Sequence, residues 1–161
     1  LSAFLTALEQ WCSPQCRETL EAEYNRLFAH LGSAQCPPYE TEYGYDNVFQ
    51  KAEAMADIAG FYAAYGLEPA ATNAERVDFL STELEFMAYV TMHEAYAREH
   101  DEAAHFDVCR DTQRKFLAEH LGRWVALFVQ ILLRSTANSF YTSAGKLMGT
   151  FLENETRLFG L

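Results

Sequence analysis

Apolar residues recur along most of this chain at intervals of three and four, the period of a helix with one buried face. The clearest case is 75–90. Wound as a helix, it puts Val77, Leu80, Leu84 and Met87 on one stripe, widened by Phe79, Phe86 and Val90. Glu75, Asp78, Thr82 and Glu85 run down the other side. Glu83 breaks the division. It falls inside the apolar arc, three or four residues from Phe79, Leu80, Phe86 and Met87. A carboxylate there must find a donor or cost several kcal/mol. The pattern therefore predicts a buried, hydrogen-bonded Glu83, with Arg123 or His120 as its partner.

The same period places the other elements. Residues 1–10 read as the tail of a helix, with Phe4, Leu5 and Leu8 on one side. Ser13-Pro14 is a cap followed by a first-turn proline. The helix it starts would bury Leu20, Tyr24, Leu27, Phe28 and Leu31, and end at Gly32. Paired prolines, Pro37 and Pro38, make 36–46 a loop. Its three tyrosines, Tyr39, Tyr43 and Tyr45, suit either a recognition surface or a packed lid. Asp46 or Asn47 caps a helix reaching about Tyr65, with Phe49, Ala52, Met55, Ala59 and Tyr62 inward and Gly66 as its stop. A connector at 67–74 contains Pro69. The helix of 75–90 continues to about Glu99, and Asp101–Glu102 marks a break.

Beyond it, Phe106, Cys109, Gln113, Phe116, His120, Trp124, Leu127 and Ile131 share one broad face. Val125, Phe128 and Leu132 widen its second half, and Gly122 is a point at which the stretch could divide. After a loop at 135–139, Asn138 or Ser139 caps a last helix using Phe140, Ala144, Leu147, Phe151 and Leu158. No strand alternation, glycine-rich phosphate loop or 20–50-residue repeat occurs. The expectation is an all-α, compact single domain over 1–161, a bundle of six to seven or more helices.

Composition narrows the function. A chain of 161 residues, half of them apolar, can build its own core without a staple. Its net charge of −11 argues against nucleic acid and for solubility or a basic partner. The acid is concentrated: 1–111 hold twenty acidic and six basic residues, 112–161 only three and six. The opening Leu1 implies a start further upstream, and nothing resembles a signal peptide. The longest apolar run, 125–133, contains Gln130 and is half the length of a membrane span. Cys12, Cys16, Cys36 and Cys109 are irregularly spaced and read as reduced cytosolic thiols. Cys12 and Cys16 would supply only half of a structural zinc site.

Three chemistries were weighed. A di-iron bundle needs two Glu-x-x-His motifs; the chain has one, Glu102-Ala-Ala-His105, at the expected helix break. His93, His100 and His105 are spaced seven and five apart and do not share a helical face. No metal or cofactor is therefore expected, and a helical metal- or small-ligand-binding protein using His93, His100, His105 and Glu102 is the alternative. For catalysis there is no nucleophile motif, and His120 sits between Phe116 and Trp124 like a core histidine, so no catalytic residue is assigned. The third is the acidic stretch 75–111, ten acids against three bases. It is either a solvated face or a cradle for arginines. Exposed ion pairs contribute only ~0.2–1 kcal/mol each. Micromolar affinity needs roughly −8 kcal/mol. A peptide ligand would also have to bury apolar surface, which the tyrosine loop and the Phe79/Phe86 edge provide.

Three ordered blocks carry a resemblance. They are Pro37-Pro38-Tyr39-Glu40-Thr41-Glu42-Tyr43-Gly44; then Glu75, Arg76, Val77, Asp78, Phe79, Leu80, Glu83, Leu84, Phe86 and Met87; then Phe116-Leu117-Ala118-Glu119-His120-Leu121-Gly122-Arg123-Trp124. Over about 36–158 the chain resembles the TorD/DmsD/NarJ family of molybdoenzyme maturation chaperones, in the branch serving periplasmic dimethyl-sulfoxide-reductase-type enzymes. The resemblance implies an all-helical, cytoplasmic, non-enzymatic protein. Such a protein binds the twin-arginine signal peptide, or the apo catalytic subunit, of a molybdenum-cofactor enzyme until the cofactor is inserted and export can follow. It places peptide binding at Asp78 and Phe79, with Tyr39 and Tyr43 in the loop that lines the groove; the acidic face adds Glu75 and Glu85. The apolar surroundings of Glu83, apart from any resemblance, make Glu83, His120 and Arg123 a structural polar tie. Val77 stands where the family usually has Pro, and Phe79 where it has His. A permanent structural subunit is a third reading. The client's identity, the choice between signal peptide and mature region, monomer or dimer, and nucleotide or cofactor binding are not specified by these residues.

Overall fold

The computed structural model describes residues 1–11, 14–29, 35–68 and 75–161. Cys12, Ser13, Leu31, Gly32 and Pro69, which the sequence marks as a thiol and as helix boundaries, lie outside them. Seven α-helices and no strand occur among the described residues: α1 Ser2–Trp11, α2 Pro14–Phe28, α3 Val48–Ala64, α4 Leu80–Glu99, α5 Ala103–Phe116, α6 Gly122–Ser135 and α7 Ser139–Phe159. The all-α expectation holds.

The chain divides into two units. The first comprises Leu1–Pro38 and Val125–Gly160. Within it Phe28 is the aromatic centre, 5.1 Å from Tyr24, 5.7 Å from Tyr141 and 6.4 Å from Phe128. α1 lies on α7, with Phe4 against Phe140 and Trp11 Nε1 donating to Ser139 Oγ at 2.7 Å. Asn138 caps α7 as expected, accepting from the Phe140 amide. Tyr24, Leu127 and Leu158 were expected inside but are about half exposed. On a helix one residue of phase error, about 100°, is enough to change the face.

The second unit comprises Tyr39–Trp124 with Leu161. Its core is a set of rings from three elements. Phe86 of α4 meets Phe116 of α5 at 4.8 Å and Tyr62 of α3 at 5.0 Å, and Phe61 meets Phe116 at 5.2 Å. Ile58, Val90, Leu117, Leu121 and Trp124 close around them. Asn47 caps α3, and Gly66 leaves it with φ +70°. The inner face of α3 is Ala54, Ile58 and Tyr62, not the stripe led by Phe49. Six alanines in this helix carry little apolar weight. They let two stripes fit the same period, and Ile58 decides between them. Val48 and Phe49 are left 78% and 87% exposed.

α4 begins at Leu80, five residues later than its periodicity suggests. Residues 75–79 instead form a turn against the tyrosine loop, closed by the Phe79 amide donating to the Arg76 carbonyl at 3.1 Å. Phe79 pairs with Tyr39 in an isolated antiparallel bridge, the Glu40 amide donates to the Asp78 carbonyl at 2.9 Å, and Tyr62 Oη donates to the Val77 carbonyl at 2.8 Å. The expected break before α5 is a tight reversal with Asp101 at φ +57°, a region that short polar side chains tolerate.

Gly122 does not divide the next stretch. A π-helical turn, Leu117–Leu121, joins α5 to α6 into one helical run, Ala103–Ser135. That run is long and apolar enough to cross a membrane by length and composition, with a most apolar window of mean hydropathy 1.4. Half of that window is buried within the protein, which the short apolar run at 125–133 did not foretell. The Gly122 amide donates to the Leu117 carbonyl, five residues back. An added Cβ would lie 2.4 Å from that oxygen. Gly122→Ala should therefore open the π turn and cost about 1–3 kcal/mol, as overpacking does. Denaturant unfolding measures it, and unchanged stability would show that the turn tolerates a side chain.

Candidate functional site

The buried carboxylates of the second unit form the site from below. Asp78, expected on the exposed acidic face, is fully buried. Its Oδ2 accepts from the Thr41 amide at 3.2 Å, Thr41 Oγ1 at 2.8 Å and Arg76 Nη2 at 2.8 Å, and its Oδ1 from Arg76 Nε at 2.9 Å. Arg76 also lies over the Tyr39 ring, 4.3 Å from its centre, and Tyr39 packs on Phe79 at 5.3 Å. Residues 39–45 are thus pinned to the segment before α4. A ligand reaches Asp78 only by displacing Arg76 or Thr41. Glu75 and Glu85 are exposed, whereas Tyr43 lies 5.2 Å from the Trp124 ring. Glu94, also expected on the acidic face, is buried and accepts from Gln113 Nε2 at 2.6 Å.

Glu83 is buried as its position demands. Its partner is neither Arg123 nor His120 but Trp124, whose Nε1 donates at 3.3 Å. His120 lies within the π turn and Trp124 just beyond it, and the two meet different carboxylates. Burial first, then the neighbouring Glu40, raises the Glu83 carboxyl to about 10, so it is protonated at neutral pH. His120 belongs to Glu40: Nδ1 lies 3.1 Å from Oε2 and 3.2 Å from Oε1. Tyr45 Oη donates to the same carboxylate at 2.5 Å. Burial, then that bond, holds the Tyr45 phenol above its ordinary pKa.

Above this layer opens a cleft of about 770 Å³, between α3, the 39–45 loop and the π turn. Glu53 and Asp57 of α3 line one wall, Glu119 and Arg123 the other, with Tyr45 and His120 at its floor. Glu53, Asp57 and Glu119 are exposed. His120 Nε2 lies 3.3 Å from Asp57 Oδ2. Sequence reading missed Glu40, Tyr45, Glu53 and Asp57. One signal was present: Phe49, Glu53 and Asp57 stand four apart, on one face of a helix whose Ala54/Ile58 face is buried.

The alternative site is half assembled. His93 and His105 come together from α4 and α5, ring centres 5.7 Å apart, and His105 Nδ1 lies 3.0 Å from Glu102 Oε2. His100 is elsewhere, stacked on Tyr96 at 3.9 Å with Nδ1 2.9 Å from the Tyr96 carbonyl. Two imidazoles and a carboxylate already engaged with one of them do not converge on a point.

The model of the nitrate reductase delta subunit family matches residues 1–130. The chain belongs to that family. The nitrate reductase delta subunit family is where the three ordered motifs had pointed. Among curated relatives, the chlorate reductase assembly chaperone protein of Ideonella dechloratans is 31% identical over 150 residues, covering 89% of this chain and 72% of the relative. The selenate reductase assembly chaperone protein of Thauera selenatis is 32% identical over 142 residues, covering 84% and 68%. The perchlorate reductase assembly chaperone protein of Dechloromonas aromatica is 31% identical over 99 residues, covering 62% and 43%.

The protonated Glu83 has a stability consequence. Its folded pKa, about 10, lies above that of an exposed carboxyl, so the folded state holds a proton that the unfolded chain releases. Its contribution is most favourable below about pH 4.5 and is lost as pH rises towards the folded value, by at most about 1.4 kcal/mol per pH unit. Glu83→Gln keeps an acceptor for Trp124 and cannot ionise. The stability of this variant relative to the parent chain should rise between pH 5 and pH 8 in urea unfolding. A difference independent of pH would show Glu83 to be ionised.

Proposed function

We propose that this chain is an assembly chaperone that holds the catalytic subunit of a molybdoenzyme, by its twin-arginine signal peptide or another segment, while the cofactor is inserted. It acts in the cytoplasm before export and performs no chemistry of its own. The names of its relatives support the assembly role. The observation that carries the peptide reading is the exposed stripe of α3. Phe49, Glu53 and Asp57 follow one another along one face over about 12 Å. They begin at the apolar Val48 and Phe49 and run into the acidic cleft. A segment with paired arginines beside an apolar run offers complementary features in the same order. Guanidinium groups would pair with Glu53, Asp57 and Glu119, and apolar side chains would cover Val48 and Phe49. Burying a phenyl ring supplies what exposed ion pairs alone lack.

In this reading Glu75 and Glu85 extend the negative surface, while Asp78, Phe79, Tyr39 and Tyr43 hold the loop that forms the cleft's edge. Asp78 then matters for stability more than for contact. Asp78→Ala should cost about 2–4 kcal/mol, because Thr41 and Arg76 lose a buried charged acceptor. Unfolding midpoints check this, and a loss below 0.5 kcal/mol — on the order of a surface change — would contradict it.

The binding test is calorimetry with the client's leader peptide and, separately, with apo catalytic subunit. Micromolar or tighter binding to one of them is expected. Combining Glu53→Gln with Asp57→Asn should weaken it about tenfold and flatten its salt dependence, roughly what losing two exposed charge pairs predicts. Phe49→Ser should weaken it at every salt concentration. No binding to either ligand would end the proposal. A permanent structural subunit would instead co-purify with the exported enzyme.

A further inference from the structure

Asp57 of α3 and Glu119 and His120 of the π turn each bring one ligand atom to a common point at the cleft floor, all within 4.8 Å of one another. His120 Nε2 and Asp57 Oδ2 are already 3.3 Å apart. Ligands bonded at about 2.0–2.1 Å to a tetrahedral zinc-sized cation are separated by roughly 3.3–3.4 Å. The pair therefore stands at the edge length of such a site before any rearrangement.

An acidic cluster alone would say little, but the imidazole adds an independent observation. The His120 ring is almost fully buried and lines the polar cleft; its Nε2 makes no hydrogen bond, is closed off from water, and has the Asp57 carboxylate 3.3 Å in front of it. Its other nitrogen is held from behind by Glu40, and Glu40 by Tyr45. A carboxylate bonded to Nδ1–H selects the tautomer whose Nε2 carries a lone pair, the arrangement that backs metal-bound histidines. The π turn contributes as well. It winds more residues per turn than an α-helix, so the adjacent Glu119 and His120 diverge less and both face the cleft.

We propose that Asp57, Glu119 and His120 bind a divalent transition cation of zinc's size and mixed nitrogen–oxygen preference, with a further coordination position open to water or to a client group. Glu40 and Tyr45 are positioning residues behind His120. The inference does not depend on the chaperone reading, and it is measured without any client. A bound cation would neutralise two of the carboxylates proposed for guanidinium, so cation and arginine would exclude one another there.

The test uses chelator-treated protein and Zn²⁺ alone, by equilibrium dialysis with metal counting, and Co²⁺ as a spectroscopic probe. One equivalent should bind with micromolar or tighter affinity, and Co²⁺ should give the visible absorption of a low-coordinate site. Asp57→Asn and Glu119→Gln should each weaken binding at least tenfold. Both side chains are exposed, so the fold should survive, which circular dichroism checks. Glu40→Gln should weaken binding 10–100-fold, in the range for groups that orient a ligand. Absence of stoichiometric binding below millimolar Zn²⁺ would leave His120 as a bridge between two carboxylates and overturn the proposal. So would binding that survives both Asp57→Asn and Glu119→Gln, since the metal would then lie elsewhere.

Discussion

Glu40 is the interaction on which the second unit turns. It is a carboxylate almost wholly removed from water, and its stability there depends on donors supplied by other parts of the chain. Tyr45 comes from its own loop and His120 from the π turn, eighty residues away. Remove either, and an uncompensated charge remains in a low-dielectric interior, which costs more than the lost bond itself. The loop, the π turn and, through Asp57, the wall of α3 are therefore held in one arrangement by a single anion. Aromatic packing among Tyr62, Phe86 and Phe116 supplies the attraction. It is the polar layer that specifies direction.

A second buried carboxylate, Asp78, does the same for the other edge of the loop. It accepts four hydrogen bonds from Thr41 and Arg76. The third, Glu83, is settled differently. Buried, with the Trp124 indole as donor and Glu40 near, it keeps its proton. With Glu94, which accepts from Gln113, four acids are buried in this unit, and three of them take three states: bridged by an imidazole, bound by a guanidinium, and neutral. The environment of each decides which, through donor supply and distance from water.

This arrangement explains why the cleft above can be acidic and open. Glu40 and Asp78, which hold its edges, find their donors beneath it, and Glu53, Asp57 and Glu119 are left exposed at the surface. Among the described residues, His120 has carboxylates and aromatic rings as neighbours. An acidic cleft beside exposed apolar side chains is compatible with the assembly role proposed above. The same residues, backed by Glu40, also meet the geometric demands of a cation site.

Much of the helical order was legible in the chain. Asn47, Gly66, Asp101 and Asn138 act where their backbone and capping preferences put them, because those preferences are local. The burial of Glu83 was legible too, since a helical phase places one residue by its neighbours. Local period could not choose between two stripes of α3, where alanines weigh little, and so Phe49 was expected inside. It could not show that 75–79 leave the helix, because what holds them in a turn is the pairing of Phe79 with Tyr39 and Asp78's demand for Thr41 and Arg76. Nor could it foresee the π turn, which inserts one residue of phase and sends His120 to Glu40 and Trp124 to Glu83. Those are contacts between residues 37 to 80 positions apart. The sequence by itself determined the class of fold, the family and which segments are helical. Only the tertiary structure decided which acids are buried, which are free, and where they meet, because a charge's fate depends on the donors that folding brings within reach of it.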